Sequence, residues 1–115
     1  MKFHLLFFSF LFFSLVTRAQ SFLPGTEDIP LMNGLEKVEE TASFDTPEER
    51  MVLISAESNE SASRILTFYK QTLENLGWQQ KETRFFIRGK DSFVIEIIPS
   101  GKKNQIQFKL SQSNS

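Results

Sequence analysis

The residue types that most often do chemistry in proteins are nearly absent from this chain. Cysteine is missing, and the one histidine is His4. Beyond residue 4, therefore, no Ser-His-Asp or Cys-His nucleophile system and no His- or Cys-ligated zinc can be built. No GxGxxG, GxxxxGK[ST] or EF-hand pattern appears, so dinucleotide, P-loop phosphate and calcium sites lack support. The sequence predicts no cofactor and no metal.

Carboxylates remain as candidate catalysts, and several are close together in the sequence: Glu39-Glu40, Asp45 and Glu48-Glu49. A glycosidase would need two such acids at a fixed separation. Neighbouring residues on a strand point to opposite faces, however, so Glu39 and Glu40 cannot both reach one substrate. Acids in a turn are usually just solvated. We expect no catalytic residue and no enzyme, and a hydrolase that uses carboxylates alone is the least favoured alternative.

The charges are unevenly distributed along the chain. Residues 20–60 hold ten acids and two bases, whereas residues 61–115 hold four acids and nine bases. The total is too balanced to indicate nucleic acid or an anionic membrane as a partner. We expect the two halves to attract each other, and a bipolar surface that orients a partner is the alternative. Likewise, we expect Arg50, Arg84 and Arg88 to pair with carboxylates across a sheet rather than to bind an anion.

A predicted amphipathic helix over residues 61–76 organises the rest of the chain. Gly77 can take the left-handed conformation that ends a helix, and Trp78 would then fold back onto Leu73. The apolar residues recur at three- and four-residue spacing, which gathers them on one side: Ala62, Ile65, Leu66, Tyr69, Leu73 and Leu76.

Alternating apolar and polar segments on both sides of this helix predict β-strands. They cover residues 38–45, 50–56, 78–83 (continued or followed by 84–88), 92–99 and 105–110. The fold class is therefore α+β, in the order β-β-α-β-β-β, with a largely antiparallel sheet and the helix packed on one face. A single domain spans residues 38–110, an extended strip precedes it at 20–37, and a flexible tail follows at 111–115.

Residues 1–19 have the layout of a secretory signal peptide, with a positive start, an apolar run and a small residue at Ala19. The run from Leu5 to Val16 is shorter than the roughly 20 residues that a spanning helix needs. We expect cleavage after Ala19 and no membrane insertion afterwards; a retained anchor is the alternative. The lack of cysteine favours a bacterial cell-envelope protein, periplasmic or secreted.

One helix covers one face of the predicted sheet, yet both faces of the 92–99 strand carry apolar side chains. An open apolar face needs a cover. The strip and a second copy of the chain are equally favoured as that cover, and another cell-envelope protein comes third. The candidate interaction surface combines the uncovered face with the strip side chains that would cover it: Phe86, Val94, Ile98, Leu31 and Met32.

The leading hypothesis is thus a non-enzymatic exported domain that binds through its exposed sheet face or a free strand edge. A carrier of a small apolar ligand is the alternative. The ligand would lie between helix and sheet, against Phe68, Trp78 and Phe85.

Several short motifs carry a resemblance. They are Asp28-x-Pro-Leu-Met-x-Gly-Leu35, Phe44-Asp-x-Pro-Glu-x-Arg50, Phe68-Tyr69 with Leu73, Leu76-Gly-Trp78 and Phe86-x-Arg-Gly89. Together the chain resembles a group of small exported bacterial proteins of unknown function, in which a Phe-Tyr…Leu-Gly-Trp helix precedes several strands. The resemblance implies export and an α+β fold, and it assigns no catalytic residue.

Overall fold

The structure, a computed structural model, describes residues 21–114 of the 115-residue chain. These residues form one antiparallel sheet of six strands and one helix. The predicted α+β fold is confirmed, as is its order of two strands, the helix and then the remaining strands, of which there are four. The 78–88 region is two strands, not one. In chain order the elements are β1 (Leu35–Asp45), β2 (Glu49–Ser58), α1 (Ala62–Asn75), β3 (Gln79–Glu82), β4 (Phe85–Arg88), β5 (Asp91–Ser100) and β6 (Lys103–Ser113). The predicted signal segment lies outside the described residues.

The six strands are ordered β1-β2-β6-β5-β4-β3 across the sheet. All neighbours are antiparallel, and β6 is inserted between β2 and β5. The last strand is longer than its side-chain pattern predicted. Residues 111–113 pair with Met51, Arg50 and Glu49 of β2, so the prediction of a flexible tail is wrong for these three positions.

Helix α1 begins and ends with side-chain and glycine signals. The Ser61 hydroxyl accepts a hydrogen bond from the Arg64 N–H at 3.1 Å and so caps the first turn. At the other end Gly77 has a φ of +94°, which allows the Trp78 N–H to donate to the Leu73 carbonyl at 2.9 Å. This is the Schellman arrangement that Gly77 predicted. It turns the Trp78 ring onto the sheet.

Strand alternation gives the sheet two different faces. We call the face that packs on α1 the inner face and the other the open face. The inner face and α1 share a core in which the Phe93 and Phe108 rings stack at 5.7 Å, and the Tyr69 ring contacts Phe108 at 5.3 Å. The Trp78 ring lies 6.0 Å from Phe93. All four side chains are buried, so this core is filled with interlocking rings.

The strip, defined here as residues 21–34, covers the rest of the inner face. Its Leu23, Ile29 and Met32 side chains are buried in the same core. It lies so close to β2 that a Cβ at Gly25 would be 2.8 Å from Val52 Cγ1, and Gly25 has a φ of +80°. The prediction that the strip covers the open face is therefore wrong.

Polar contacts of long sequence separation hold the strip in place. The Tyr69 hydroxyl donates to the Pro30 carbonyl at 2.8 Å and accepts from the Met32 N–H at 3.3 Å. The Arg88 guanidinium donates to the Asp28 carboxylate at 3.0 Å. Helix, sheet and strip therefore form one body.

Both edges of the sheet are poor templates for a further strand. The β1 pairing with β2 is interrupted by register shifts between Glu36 and Glu39 and between Glu40 and Ala42. At the opposite edge, β3 has only four residues. Bulges, charges and short length all discourage strand addition.

Candidate interaction face

The open face carries more apolar side chains than a solvent-exposed sheet face usually does. The strand register places on it side chains from β1, β2, β4 and β5. Phe44 and Ile98 are 57% and 58% exposed, and the others are half-buried among their neighbours. Within residues 21–114 no segment packs over them. The apolar members of the open face are Ala42, Phe44, Met51, Leu53, Phe85, Ile87, Val94 and Ile98.

A shallow depression of about 240 Å³ lies at the centre of the open face. Leu53 and Val94 flank Lys109 in the strand register, one on each side. Glu96 lies on the same face, opposite Gln107, and these five residues line the depression. Neither Lys109 nor Glu96 has an ion-pair partner anywhere in the described part of the chain.

An ion network occupies one end of the open face. Lys103 Nζ lies 2.7 Å from Glu36 Oε1 and 3.8 Å from Glu57 Oε1, and Lys37 Nζ lies 3.6 Å from Glu57. A hydrogen bond from the Gln105 side chain, helped by the two lysines, lowers the pKa of Glu57. The hydrogen bond to Glu36 raises the pKa of Lys103. Here the acidic first half of the chain meets the basic second half, as the charge distribution predicted.

Phe86 and Phe85 exchange the roles that the sequence predicted for them. Phe86 pairs with Phe93 in the register and is 0% exposed, so it belongs to the inner core and not to the open face. Phe85 pairs with Val94 and lies on the open face. Strand β4 reads Phe-Phe-Ile-Arg, with apolar residues facing both ways. Periodicity therefore could not assign its faces; pairing with β5 does.

The other predicted interaction residues divide between the two faces. Val94 and Ile98 lie on the open face, as the 93–98 alternation indicated. Met32 is buried and Leu31 half-buried beneath α1, on the inner side. Sequence reasoning missed Leu53, Lys109 and Glu96, although the alternation within 51–54, 93–98 and 105–110 carried the signal.

The residues proposed to line a carrier cavity are not brought together. Trp78 is buried in the inner core, Phe85 lies on the opposite face of the sheet, and Phe68 is half-buried on α1 with its ring against Tyr69 at 4.8 Å. The rings of Tyr69, Trp78, Phe93 and Phe108 pack against one another between α1 and the sheet. A ligand held between helix and sheet is therefore not supported.

A second concavity, a groove of about 660 Å³, runs between α1 and the strip. Its apolar contributions are Phe68 and Met32. Most of its lining is polar and exposed. The residues that line it are Met32, Asn33, Ser61, Ser63, Arg64, Thr67, Phe68 and Gln71.

Arg88 and Arg50 have different partners, whereas the exposed Arg84 side chain has none among residues 21–114. Arg88 pairs with Asp28 of the strip, donates to the Leu76 carbonyl at 3.0 Å and lies 4.5 Å over the Trp78 ring. Arg50 donates to the Gln112 side chain and the Gly25 carbonyl, each at 2.9 Å. Cross-strand pairing with carboxylates of β1 is thus wrong for Arg50 and Arg88.

Glu39 and Glu40 face opposite ways, since Glu39 pairs with Ser55 and Glu40 with Ile54. Among residues 21–114 no group of three or more His, Cys, Asp or Glu side chains could hold a metal ion. None of the helices in that part of the chain is long and apolar enough to cross a membrane.

Comparison with known proteins gives one finding. No curated protein and no solved structure matches this chain. A family model described as START domain-like matches residues 36–113, from the second residue of β1 to the end of β6. The match covers more than half of the 115 residues. The chain therefore belongs to the START domain-like family.

Proposed function

We propose that this protein is a non-enzymatic binding domain that docks a protein partner on the open face of its sheet. The observation that carries the proposal is the row of apolar side chains there, uncovered within residues 21–114, behind an inner face that is already filled. Contiguous apolar surface of this kind marks interaction sites. Membership of a START domain-like family supports a small ligand-binding or interaction domain.

The sheet face is favoured over the sheet edge as the docking surface. Strand addition needs a straight edge with free backbone groups. Edge strand β1 is irregular at two places, and its Lys37 has a φ of +51°. The centre of the open face, in contrast, is built on β2, β5 and β6, which have ten or eleven residues and pair in an uninterrupted register. A rigid face suits docking better than an interrupted edge.

The proposal places the protein outside the cytoplasm of a bacterium, in the periplasm or secreted. Its support is the signal-peptide layout of residues 1–19 and a domain that reaches a filled core without cysteine. N-terminal sequencing of the protein purified from its own cell envelope should give Gln20 as the first residue. A chain that still begins at Met1 would support the retained anchor.

Site-specific photocross-linking in the producing cell tests the docking face. A photoreactive amino acid at Val94 should give a discrete protein adduct, because this residue is at the centre of the open face. The matched control is the same amino acid at Asn75, an exposed position at the end of α1. Equal adducts from both positions, or none from Val94, would refute the proposal.

A second candidate function is binding of a small amphipathic ligand in the groove between α1 and the strip. Its volume of about 660 Å³ lies within the usual range of ligand pockets, about 300–1,000 Å³. Phe68 and Met32 would contact an apolar portion, and Arg64 and Gln71 a polar one. A ligand screen by thermal shift should then lose its hits in Phe68→Ser, whereas hits that persist there would exclude the groove.

A further inference from the structure

We infer that the partner on the open face is a second copy of this chain, related by a two-fold axis that pairs Lys109 of each copy with Glu96 of the other. This inference rests on the proposed function, because it names the occupant of the same face. A two-fold interface is self-complementary, so residue i contacts residue j and residue j contacts residue i. The open face has the required arrangement of charges.

The charge pattern is the first argument. Lys109 and Glu96 are the charged residues that line the central depression, and neither is paired within residues 21–114. They stand on adjacent strands, β6 and β5, one step apart along the face, because Lys109 is opposite Val94 and Glu96 is opposite Gln107. A copy turned over onto this face can satisfy both charges at once, with two identical ion pairs.

The apolar pattern is the second argument, and it is independent of the charges. The sheet can be drawn as a flat lattice with about 4.8 Å between strands and about 6.7 Å between side chains of one face. A two-fold axis that lies parallel to the sheet and midway between Lys109 and Glu96 then passes near Val94 and Phe85. Each of these then meets its own counterpart. The same axis brings Leu53 opposite Ile98 of the partner subunit. One axis therefore places these four apolar side chains against apolar side chains of the other copy.

The lattice also fixes the relative direction of the sheets. The axis runs obliquely between the strands, so the strands of the two copies cross steeply, as in orthogonal sheet packing. The polar Gln107 falls near the axis too, where its amide can pair with that of the partner subunit. A side-chain amide both donates and accepts, so it can meet its own copy.

The available area is the third argument. Four strands of ten or eleven residues, with two short strands beside them, present a face of roughly 600–800 Å² at standard strand spacing and rise. A standard specific interface buries about 800 Å² per partner. The open face is thus large enough for a stable pair of copies.

The experiment is a charge exchange read by sedimentation equilibrium of the chain from Gln20 over a wide concentration range. The wild type should be dimeric at micromolar concentration. Lys109→Glu and Glu96→Lys should each weaken dimerisation by about 10–100-fold, because each places two like-charge contacts in the interface. The double variant should return to within about threefold of the wild type, since it restores both pairs in reverse.

A thiol cross-link locates the axis. Because the chain has no cysteine, Val94→Cys introduces the only thiol, and a short bifunctional thiol reagent should convert it to a covalent dimer. The control Asn75→Cys should form no covalent dimer with this reagent, although it should still associate like the wild type. Circular dichroism of every variant checks folding, and both residues are outside the inner core.

The outcomes separate this inference from the proposed function. A wild type that stays monomeric, or single variants that dimerise as well as the wild type, would overturn the two-fold pairing. In that case a Val94 photo-adduct whose mass is not twice that of the chain would keep the docking face and assign it to a different protein. A Val94 adduct of twice the chain mass, with restored dimerisation in the double variant, supports both.

Discussion

The two faces of the sheet are made by the same strands and serve different ends. The inner face carries Phe93, Phe108 and Ile95, which are fully buried under α1 and the strip. The open face carries Val94, Glu96 and their neighbours, which alternate with them residue by residue. One face is closed by the chain itself, whereas the other holds apolar groups that no segment of residues 21–114 covers. Stability explains the first face, and the proposed docking of a partner would explain the second.

The contrast is sharpest between neighbouring residues. Phe86 and Phe85 are adjacent and chemically identical, but Phe86 is fully buried and Phe85 lies half-buried on the open face. Residue type therefore does not separate the two roles here. The pairing register of β4 with β5 does.

The largest expected effect comes from truncating one residue on each face. Phe93→Ala should lower the free energy of unfolding by about 3–5 kcal/mol, since it removes a ring from a filled core. Val94→Ala, one residue away, should lower it by less than about 1 kcal/mol, because its side chain is only half-buried. Urea unfolding of both variants measures this difference, and similar losses would mean that the open face is part of the core.

A smaller effect tests whether the strip belongs to the inner face. Tyr69→Phe removes the hydroxyl that bonds Pro30 and Met32 and leaves their backbone groups unsatisfied, which should cost about 1–3 kcal/mol. Hydrogen exchange of the Met32 amide should speed up in this variant. Unchanged exchange there would show that the strip is held without Tyr69.

The same tyrosine makes the inner face sensitive to alkali. Burial raises the pKa of Tyr69 above its ordinary value of 10.0. The folded state therefore holds the proton more tightly than the unfolded state. The resulting stability is complete below pH of about 10 and is lost as the pH rises further.

Because the chain has a single tyrosine, tyrosinate absorbance reports this group alone. It should appear only together with unfolding. In Tyr69→Phe, deprotonation of residue 69 can no longer drive unfolding. The free energy of unfolding of this variant should therefore fall less between neutral and alkaline pH than that of the wild type. Tyrosinate that forms in the folded protein near pH 10 would contradict the burial.

The smallest effect concerns the ion network at the end of the open face. The lowered pKa of Glu57 means that its contribution is present above its unfolded pKa, about 4.3, and is lost as the pH falls through the lower folded value. Glu57→Gln should therefore remove a small contribution at neutral pH that is already absent in acid, which slightly flattens the acid limb of the stability curve. The expected change is slight, because exposed ion pairs contribute little to stability. A loss as large as that of Tyr69→Phe would show that the network holds the fold together.

Local patterns predicted most of the fold. The 3.6-residue period and Gly77 located α1, and alternation located the strands, because both signals lie within a few residues of the positions that they determine. The C-terminal end of β6 was not predicted because Ser111 and Gln112 are both polar and break the alternation. Only backbone pairing with β2 extends the strand over them.

The candidate site was harder to predict because it depends on distant contacts. The strip has no periodicity, and its side of the sheet is set by Tyr69 and Arg88, which are 39 and 60 residues from Pro30 and Asp28. The depression likewise joins side chains from β2, β5 and β6. No spacing within one segment shows that Leu53, Val94 and Lys109 are neighbours.

The irregular edge at β1 has a consequence for how far assembly can proceed. Pairing along a straight edge exposes a new edge at each end, so growth continues into a fibre. Two copies that meet face to face across a two-fold axis bury the whole interface between them. No free copy of that interface remains, so the assembly is a closed dimer. The interruptions near Lys37 and Thr41 therefore disfavour growth along this edge, and the proposed face-to-face pairing would end at two copies.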